Sequence, residues 1–206
     1  MRVARCALLL VIALPVRPAG AKPKTPPADP PIDMAAHTIK AGDTLWKIAK
    51  QHATTVASIR TANGLKGSLI RVGTVLRVPK GPFRVLVTKG KHTLQLLQGN
   101  KTIKTYRVGL GRDKTTPSGT FTVVAKLLIP TWHDDQGRIP PDDPRNILGS
   151  RWIAFKGRIG IHGSRKVDEK NIGKNTTLGC VLMRDADVIE LYDFLVVGKS
   201  TIKLAD

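Results

Sequence analysis

The chain has 206 residues, of which 41% are hydrophobic and 4% aromatic, and its 34 Lys and Arg against 15 Asp and Glu give a net charge of +19. Its apolar runs are all shorter than the roughly 20 residues that a membrane-spanning helix takes. A charge of this size indicates a polyanionic partner.

The N-terminus has the pattern of a secretory signal peptide. Two arginines lie in MRVAR, the apolar run ALLLVIAL follows, and Ala19-Gly20-Ala21 offers small residues for cleavage. We predict a signal peptide over residues 1–21; the alternative is an uncleaved N-terminal anchor. Cys6 precedes the apolar run, which is the wrong place for a lipid-attachment cysteine.

Cleavage after Ala21 removes three basic residues and none of the 15 acidic ones, which leaves a net charge of +16. Export argues against nucleic acid as the partner, and the lysines are not interleaved with aromatic residues as in a nucleic-acid site. The sequence therefore predicts a secreted protein of the periplasm or cell wall, without a stable membrane anchor after cleavage. The charge then matches a polyanionic wall or membrane surface, or it only keeps the protein soluble.

Residues 22–36 contain five prolines and little that is large and apolar, so we predict an extended linker. A first compact unit is expected over 37–79, in the order strand, helix, helix, strand. Its first helix is predicted from Leu45, Ile48 and Ala49 on one face, with Thr44 as the N-cap.

The strings GDTLWKIA, VASIRTANGL and IRVGTVLRVP in this unit resemble the lysin motif (LysM) in order and spacing. The resemblance implies binding of glycans that contain N-acetylglucosamine, such as peptidoglycan. Leu45, Trp46, Ile48 and Val56 are expected in the core, and Asp43 and Thr44 can also serve as turn and helix cap. The groove that the resemblance implies is lined by Gly42, Asp43, Thr44, Asn63, Leu65 and Ile70.

Beyond Lys80-Gly81-Pro82 the apolar period changes from helical to two, which predicts antiparallel hairpins over residues 83–206. A strand is expected over 121–129, and the loop 130–144, with four prolines, is long enough to be a lid. One late helix is predicted from about Asp185, before a last strand. The whole chain is thus predicted as α+β with two domains, the second a mainly antiparallel sandwich or barrel-like sheet structure.

His162 in GIHGS and Cys180 in TLGCVLM are the candidate catalytic residues. Without Cys6, Cys180 is the only thiol of the mature chain, and an exported protein tends to pair its thiols or to lack them. An imidazole beside a thiol can take its proton and make it nucleophilic. The structural alternatives are a small buried cysteine and a hydrogen-bonded core histidine.

This second unit resembles the YkuD-type L,D-transpeptidases. The resemblance rests on TPSGTF, PRNILGSRW, IGIHGS and GCVLM followed by DVIEL. It implies an exported, monomeric enzyme without a cofactor that cross-links peptidoglycan, in which a cysteine attacks a tetrapeptide stem and the acyl group passes to an amine. The alternatives are an L,D-carboxypeptidase, with water as the acceptor, and a catalytically degenerate peptidoglycan-binding protein.

The resemblance also implies roles for individual residues. Cys180 is the nucleophile, His162 the general base, and the Gly163 carbonyl orients the imidazole; the N–H groups of Leu178, Gly179 and Cys180 are candidate oxyanion donors. No metal site is expected, because His133-Asp134-Asp135 is a weak pattern. The residues expected to contact substrate are Ser164, Leu178, Arg184 and Trp132, with His133, Trp152 and Arg158 at the border of the cleft.

Two positions depart from the family pattern. Leu178 stands where most members have histidine or lysine, and Leu182 stands where most have arginine or asparagine. Loss of a polar side chain at 182 motivates the degenerate alternative. Arg184 is the nearest cation in sequence that could compensate for it.

Overall fold

The structure is a computed structural model that describes residues 32–206. The predicted signal peptide and residues 22–31 of the predicted linker lie outside the described residues. Two hydrophobic clusters organise the described chain, one for each of two units, which we call the first unit (residues 34–79) and the second unit (83–206).

The first unit contains two short helices and one antiparallel strand pair. Strand β1 (Met34–Thr38) pairs with β2 (Val75–Pro79), and helices α1 (Leu45–Gln51) and α2 (Val56–Asn63) lie between them in sequence. Thr44 caps α1, and Thr55 caps α2 within a capping box. The order strand, helix, helix, strand is as predicted. The buried cluster consists of Ile39, Leu45, Ile48, Ala49, Ile59, Leu76 and Val78.

Two details of this unit differ from expectation. Strand β1 begins at Met34 rather than at 37, because β2 continues to Pro79 and pairs with it there, so the predicted linker overlaps the strand. Trp46 was expected in the core, but it is 63% exposed. Leu45 and Ile48 occupy the buried face of α1. The Trp46 ring lies outside that face, and the Lys50 ammonium group is 5.2 Å from its centroid.

The second unit is built from two sheets that share one core. A five-stranded sheet has the order β5-β4-β3-β15-β7, and a four-stranded sheet has the order β14-β12-β11-β8. Their bounds and those of the minor strands are β3 Phe83–Thr88, β4 Thr93–Gln98, β5 Lys101–Arg107, β6 Leu110–Gly111, β7 Gly119–Thr122, β8 Ala125–Leu128, β9 Trp132–Asp134, β10 Gly137–Ile139, β11 Arg151–Lys156, β12 Ile159–His162, β13 Asn175–Thr177, β14 Val181–Leu182 and β15 Thr201–Ala205.

Most strand pairs are antiparallel, as predicted, but β15 with β3, β12 with β14 and β13 with β6 are parallel. Among residues 32–206 the sheets do not close into a barrel. The late helix is α3 (Asp185–Phe194), whose Val188 and Leu191 are buried in the shared core. The α+β prediction is confirmed in this strand-rich form.

The strand predicted over 121–129 is two strands that belong to different sheets. Strand β7 pairs with β15, whereas β8 pairs with β11. The chain crosses between the sheets at Val123 and Val124, whose N–H groups donate to Ser200 and Ala154. The alternation of apolar and polar residues continues through such a crossing, so the sequence pattern alone could not show that the strand is divided between two sheets.

In the described part of the chain, no helix is long and apolar enough to span a membrane.

Candidate active site

His162 and Cys180 are brought together by the parallel pairing of β12 with β14. His162 is the last residue of β12 and lies opposite Leu182, and Cys180 immediately precedes β14. Both residues line one cavity of about 610 Å³. Two candidates that are 18 positions apart in sequence therefore share one site.

The imidazole of His162 is held in one orientation. The side chain is buried, with 3% exposure, and its Nδ1 lies 2.7 Å from the Gly163 carbonyl oxygen. A carbonyl only accepts, so Nδ1 carries the hydrogen and Nε2 is left as the acceptor. The Trp152 ring stacks against the imidazole, with 6.0 Å between centroids and 28° between planes.

Burial controls the charge of His162. It lowers the pKa of the imidazole to about 4, because desolvation outweighs the hydrogen bond to Gly163 and the charge of Asp168, both of which favour the protonated form. At neutral pH the imidazole is therefore uncharged and can accept a proton at Nε2.

The Cys180 thiol is half-buried and is not in a disulfide. Burial raises its pKa, and a backbone hydrogen bond from Gly160 offsets part of that rise. The sulfur lies 3.8 Å from the Arg158 carbonyl oxygen. The resting pair is consequently a neutral thiol with a neutral imidazole, not a thiolate with an imidazolium.

A tight turn carries the cysteine into the cavity. Gly179 has φ +125, a conformation that L side chains rarely adopt, and a Cβ there would come within 3.1 Å of the Thr115 carbonyl oxygen. The Thr177 hydroxyl donates to the Cys180 carbonyl at 2.6 Å and accepts from the Gly179 N–H at 3.2 Å. Thr177 was missed in the sequence, although a threonine that bonds to nearby backbone is a recognised turn signal.

Helix α3 abuts the histidine side of the site. The Asp185 carboxylate accepts from the Ser150 N–H at 2.8 Å, and a Cβ added to Gly163 would lie 2.1 Å from the same oxygen. Asp185 thus holds the loop before β11 close to the carbonyl that orients His162. The sequence placed a helix start here but did not indicate this contact.

The predicted lid contains a small hairpin, β9 paired with β10. Its base is fixed by the buried Asn146, whose amide donates to the carbonyls of Pro130, Ile139 and Pro140. Arg158 donates to the His133 carbonyl at 2.7 Å from the other side of the cleft. Residues of this segment that line the cavity are Pro130, Thr131, Trp132, His133, Asp134 and Asp135.

The structure separates the predicted substrate residues into two groups. Trp132 and Leu178 line the cavity, and Leu178 is 71% exposed. Ser164 is buried outside the lining, and within the described residues its hydroxyl has no hydrogen-bond partner. Arg184 is also absent from the lining, and its Nε lies 3.9 Å from Glu169.

Leu182 is buried and lines the cavity beside His162. Arg184 is turned toward Glu169 and does not line this cavity, whereas Arg158 does. The idea that Arg184 compensates for Leu182 does not fit this geometry. Among residues 32–206, no group of three or more His, Cys, Asp and Glu is placed to hold a metal ion.

The predicted glycan-binding residues of the first unit have structural contacts of their own. The Asp43 carboxylate accepts from the His37 ring at 3.0 Å and from the Lys40 N–H at 2.9 Å, and Thr44 caps α1. The Asn63 amide bonds in both directions to the backbone of Arg77. Leu65 and Ile70 pack against the core cluster, and Gly42 is exposed in the turn before α1.

Comparisons with known proteins assign each of the two units to a family. Residues 37–79 match the LysM domain, and residues 82–203 match the L,D-transpeptidase catalytic domain, YkuD. A Bacillus licheniformis protein that carries the name L,D-transpeptidase YkuD is 31% identical over 174 residues, which is 80% of this chain and 96% of that protein. An Enterococcus faecalis autolysin is 53% identical over 45 residues, which is 22% of this chain and 6% of that protein.

The fold also matches a solved structure. An L,D-transpeptidase from Mycobacterium smegmatis superposes with a TM-score of 0.52 at 21% identity, over 66% of this chain and 65% of that one. At this level of identity the match concerns the fold.

Proposed function

We propose a function from one established premise: the chain belongs to the YkuD family of L,D-transpeptidase catalytic domains, and a LysM domain precedes its catalytic domain. The proposed function is peptidoglycan L,D-transpeptidation by cysteine acyl transfer, in an exported protein of the periplasm or cell wall. The observation that carries it is the free thiol and the oriented, uncharged imidazole in one cavity.

In the proposed first step, the Cys180 sulfur attacks the carbonyl carbon of the stem peptide bond before the terminal residue. As the C–S bond forms, His162 Nε2 takes the thiol proton; as the C–N bond breaks, it delivers that proton to the leaving amine. The product is a thioester on Cys180. The amine of a second stem then attacks the thioester carbon. As the new C–N bond forms and the C–S bond breaks, His162 passes the proton of the amine to the Cys180 sulfur.

The pKa directions support this order of events. A raised thiol pKa and a lowered imidazole pKa disfavour a charge-separated resting pair, so proton transfer accompanies attack instead of preceding it. The Gly163 carbonyl keeps Nε2 available for the transfer. It also stabilises the imidazolium that forms, because the Nδ1–H bond strengthens as the ring gains charge.

The tetrahedral intermediate needs donors for its oxyanion. Of the three predicted donors, the Gly179 N–H is already bonded to Thr177. We therefore assign the main role to the Cys180 N–H, which follows the Gly179 turn. On the substrate side, the lid residue Trp132 and the rim residue Leu178 provide apolar contact for the stem peptide.

The LysM unit is proposed to bind the glycan strand of the same polymer. Gly42, Asp43 and Thr44 contribute from the turn before α1, and Asn63, Leu65 and Ile70 from the end of α2 and the loop after it. Because Asp43, Thr44 and Asn63 also hold the backbone, their role is to present a preformed surface.

Mass spectrometry of the purified protein with tetrapeptide muropeptides tests the function. We expect a covalent adduct on Cys180 with loss of the terminal residue, followed by cross-linked dimers. Cys180→Ala should abolish adduct and dimers, whereas the exposed Ser68→Ala should behave as wild type. Shortened monomers without dimers would identify a carboxypeptidase, and the absence of any adduct would indicate a degenerate binding protein.

A further inference from the structure

The LysM unit is clamped to the catalytic unit by one buried glutamine. Gln98, at the end of β4, is 7% exposed. Its amide oxygen accepts from the Asp33 N–H at 2.7 Å, and its amide nitrogen donates to the carbonyls of Asp33 at 2.9 Å and Lys80 at 2.7 Å. Asp33 precedes β1 and Lys80 follows β2, so one side chain holds both the entry to and the exit from the first unit.

The connection between the units has no free length. Only Lys80, Gly81 and Pro82 lie between β2 and β3. Lys80 donates to the Asp33 carbonyl at 3.0 Å, and Gly81 donates to the His52 carbonyl at 2.9 Å. A Cβ on Gly81 would lie 1.7 Å from the Ala53 carbonyl oxygen, so the connection is pressed against the end of α1.

A second contact joins the helices of the two units. The Thr55 hydroxyl at the start of α2 donates to the Asp193 carbonyl near the end of α3. Ile32, ahead of β1, packs against the core of the second unit. The units therefore meet at a clamp, a short connection and a helix contact, which together fix their relative orientation.

Helix α3 spans the distance from this contact to the candidate active site. Its ten residues extend about 15 Å, from Asp185 beside Gly163 to the end bonded to Thr55. The LysM unit thus rests on the same helix that abuts the carbonyl orienting His162.

We propose that the LysM unit is a fixed part of the substrate site and not a loose tether, with Gln98 as the positioning residue. The substrate is then polymeric peptidoglycan engaged at once by its glycan strand and by a stem peptide of the same polymer. Two sites gain most from linkage when the linkage matches the separation of their ligands, and a rigid linkage selects ligands with that spacing. This inference rests on the proposed function.

The test compares the rates of turnover of soluble tetrapeptide muropeptides and of uncross-linked glycan strands that carry the same stems, all with the full chain. Gln98→Ala removes the clamp, and Thr55→Asp keeps a capping acceptor for α2 but loses the donor to α3. The matched controls are Gln95→Ala on the same strand and Thr61→Asp on the same helix.

We expect both test variants to keep the wild-type rate on soluble muropeptides and to lose about tenfold on glycan strands, with both controls unchanged. Equal rates of variant and wild type on glycan strands would overturn the inference, and so would a parallel loss on both substrates. A wild-type protein inactive on both substrates would instead refute the proposed function.

Nitrogen-15 relaxation of the two units separates docking from activity. The wild type should show one rotational correlation time for both units, and Gln98→Ala should show two. Two correlation times in the wild type would overturn the inference whatever the activity.

Discussion

At the scale of single residues, burial shifts the pKa values of the two candidate catalytic groups in opposite directions. Removing charge from water favours the neutral form of each group, which raises the pKa of Cys180 and lowers that of His162. At neutral pH the imidazole is therefore uncharged and can accept a proton, and the thiol stays protonated in the absence of substrate. Such a thiol resists oxidation and alkylation better than a preformed thiolate, which fits the export that we propose.

Alkylation of Cys180 as a function of pH tests this electrostatic state. The rate should rise with pH with a midpoint above the value of about 8.5 for free cysteine, and without a plateau near neutrality. Arg184→Ala should leave the profile unchanged, because Arg184 lies outside the cavity and pairs with Glu169. A neutral plateau would indicate a thiolate–imidazolium pair, and a shift in Arg184→Ala would restore the arginine to the site.

At the scale of elements, α3 contacts the loop that orients His162, the proposed general base, from outside the cavity. Gly163 has no side chain, so the Asp185 carboxylate can approach its backbone closely while bonding to the Ser150 N–H. The parallel pair of β12 and β14 places the cysteine, and α3 places the carbonyl that orients the imidazole. The helix is thus part of the geometry of the candidate site as well as of the core.

Gly163→Ala tests that arrangement. The new Cβ would lie 2.1 Å from Asp185 Oδ1, so either α3 or the Gly163 carbonyl must move. We expect kcat to fall by roughly a hundredfold, the scale of loss for a displacement of about 1 Å, with KM little changed. Gly67→Ala, at a position with open space around it, is the control. An unaltered kcat would mean that the imidazole does not depend on this carbonyl.

At the scale of the whole molecule, we expect charge and the LysM domain to provide two kinds of attraction to the cell wall. The net charge, +19 for the whole sequence and +16 after the predicted cleavage, acts at long range and is screened by salt, whereas sugar contacts act at short range and are not. Under the proposed docking through Gln98, we expect the charge to bring the protein to the polymer and the LysM domain to set its register on the glycan strand.

Sedimentation with purified sacculi at increasing salt separates the two. The bound fraction should fall as the screening length shrinks from about 10 Å at 0.1 M to about 3 Å at 1 M salt, and then reach a plateau. Oligomers of N-acetylglucosamine should abolish binding at the plateau but only part of the binding at low salt. Complete release at 1 M salt without the oligomer would leave charge as the only attraction.

The local features of this protein follow from its sequence alone. Apolar spacing and capping residues act over a few positions, so they predicted the strand, helix, helix, strand order of the first unit, the hairpins of the second and the late helix. The family motifs led to Cys180, His162 and Gly163 for the same reason, since each lies in a short contiguous string. That information is carried by neighbours along the chain.

Only the tertiary structure decided what depends on residues far apart in sequence. In that structure Trp46 is exposed, residues 119–128 belong to two different sheets, and Arg184 points toward Glu169. It also brought Gln98 to Asp33, 65 positions away, and Thr55 to Asp193, 138 positions away. Such contacts depend on how whole elements pack against one another, which no pattern of neighbouring residues records.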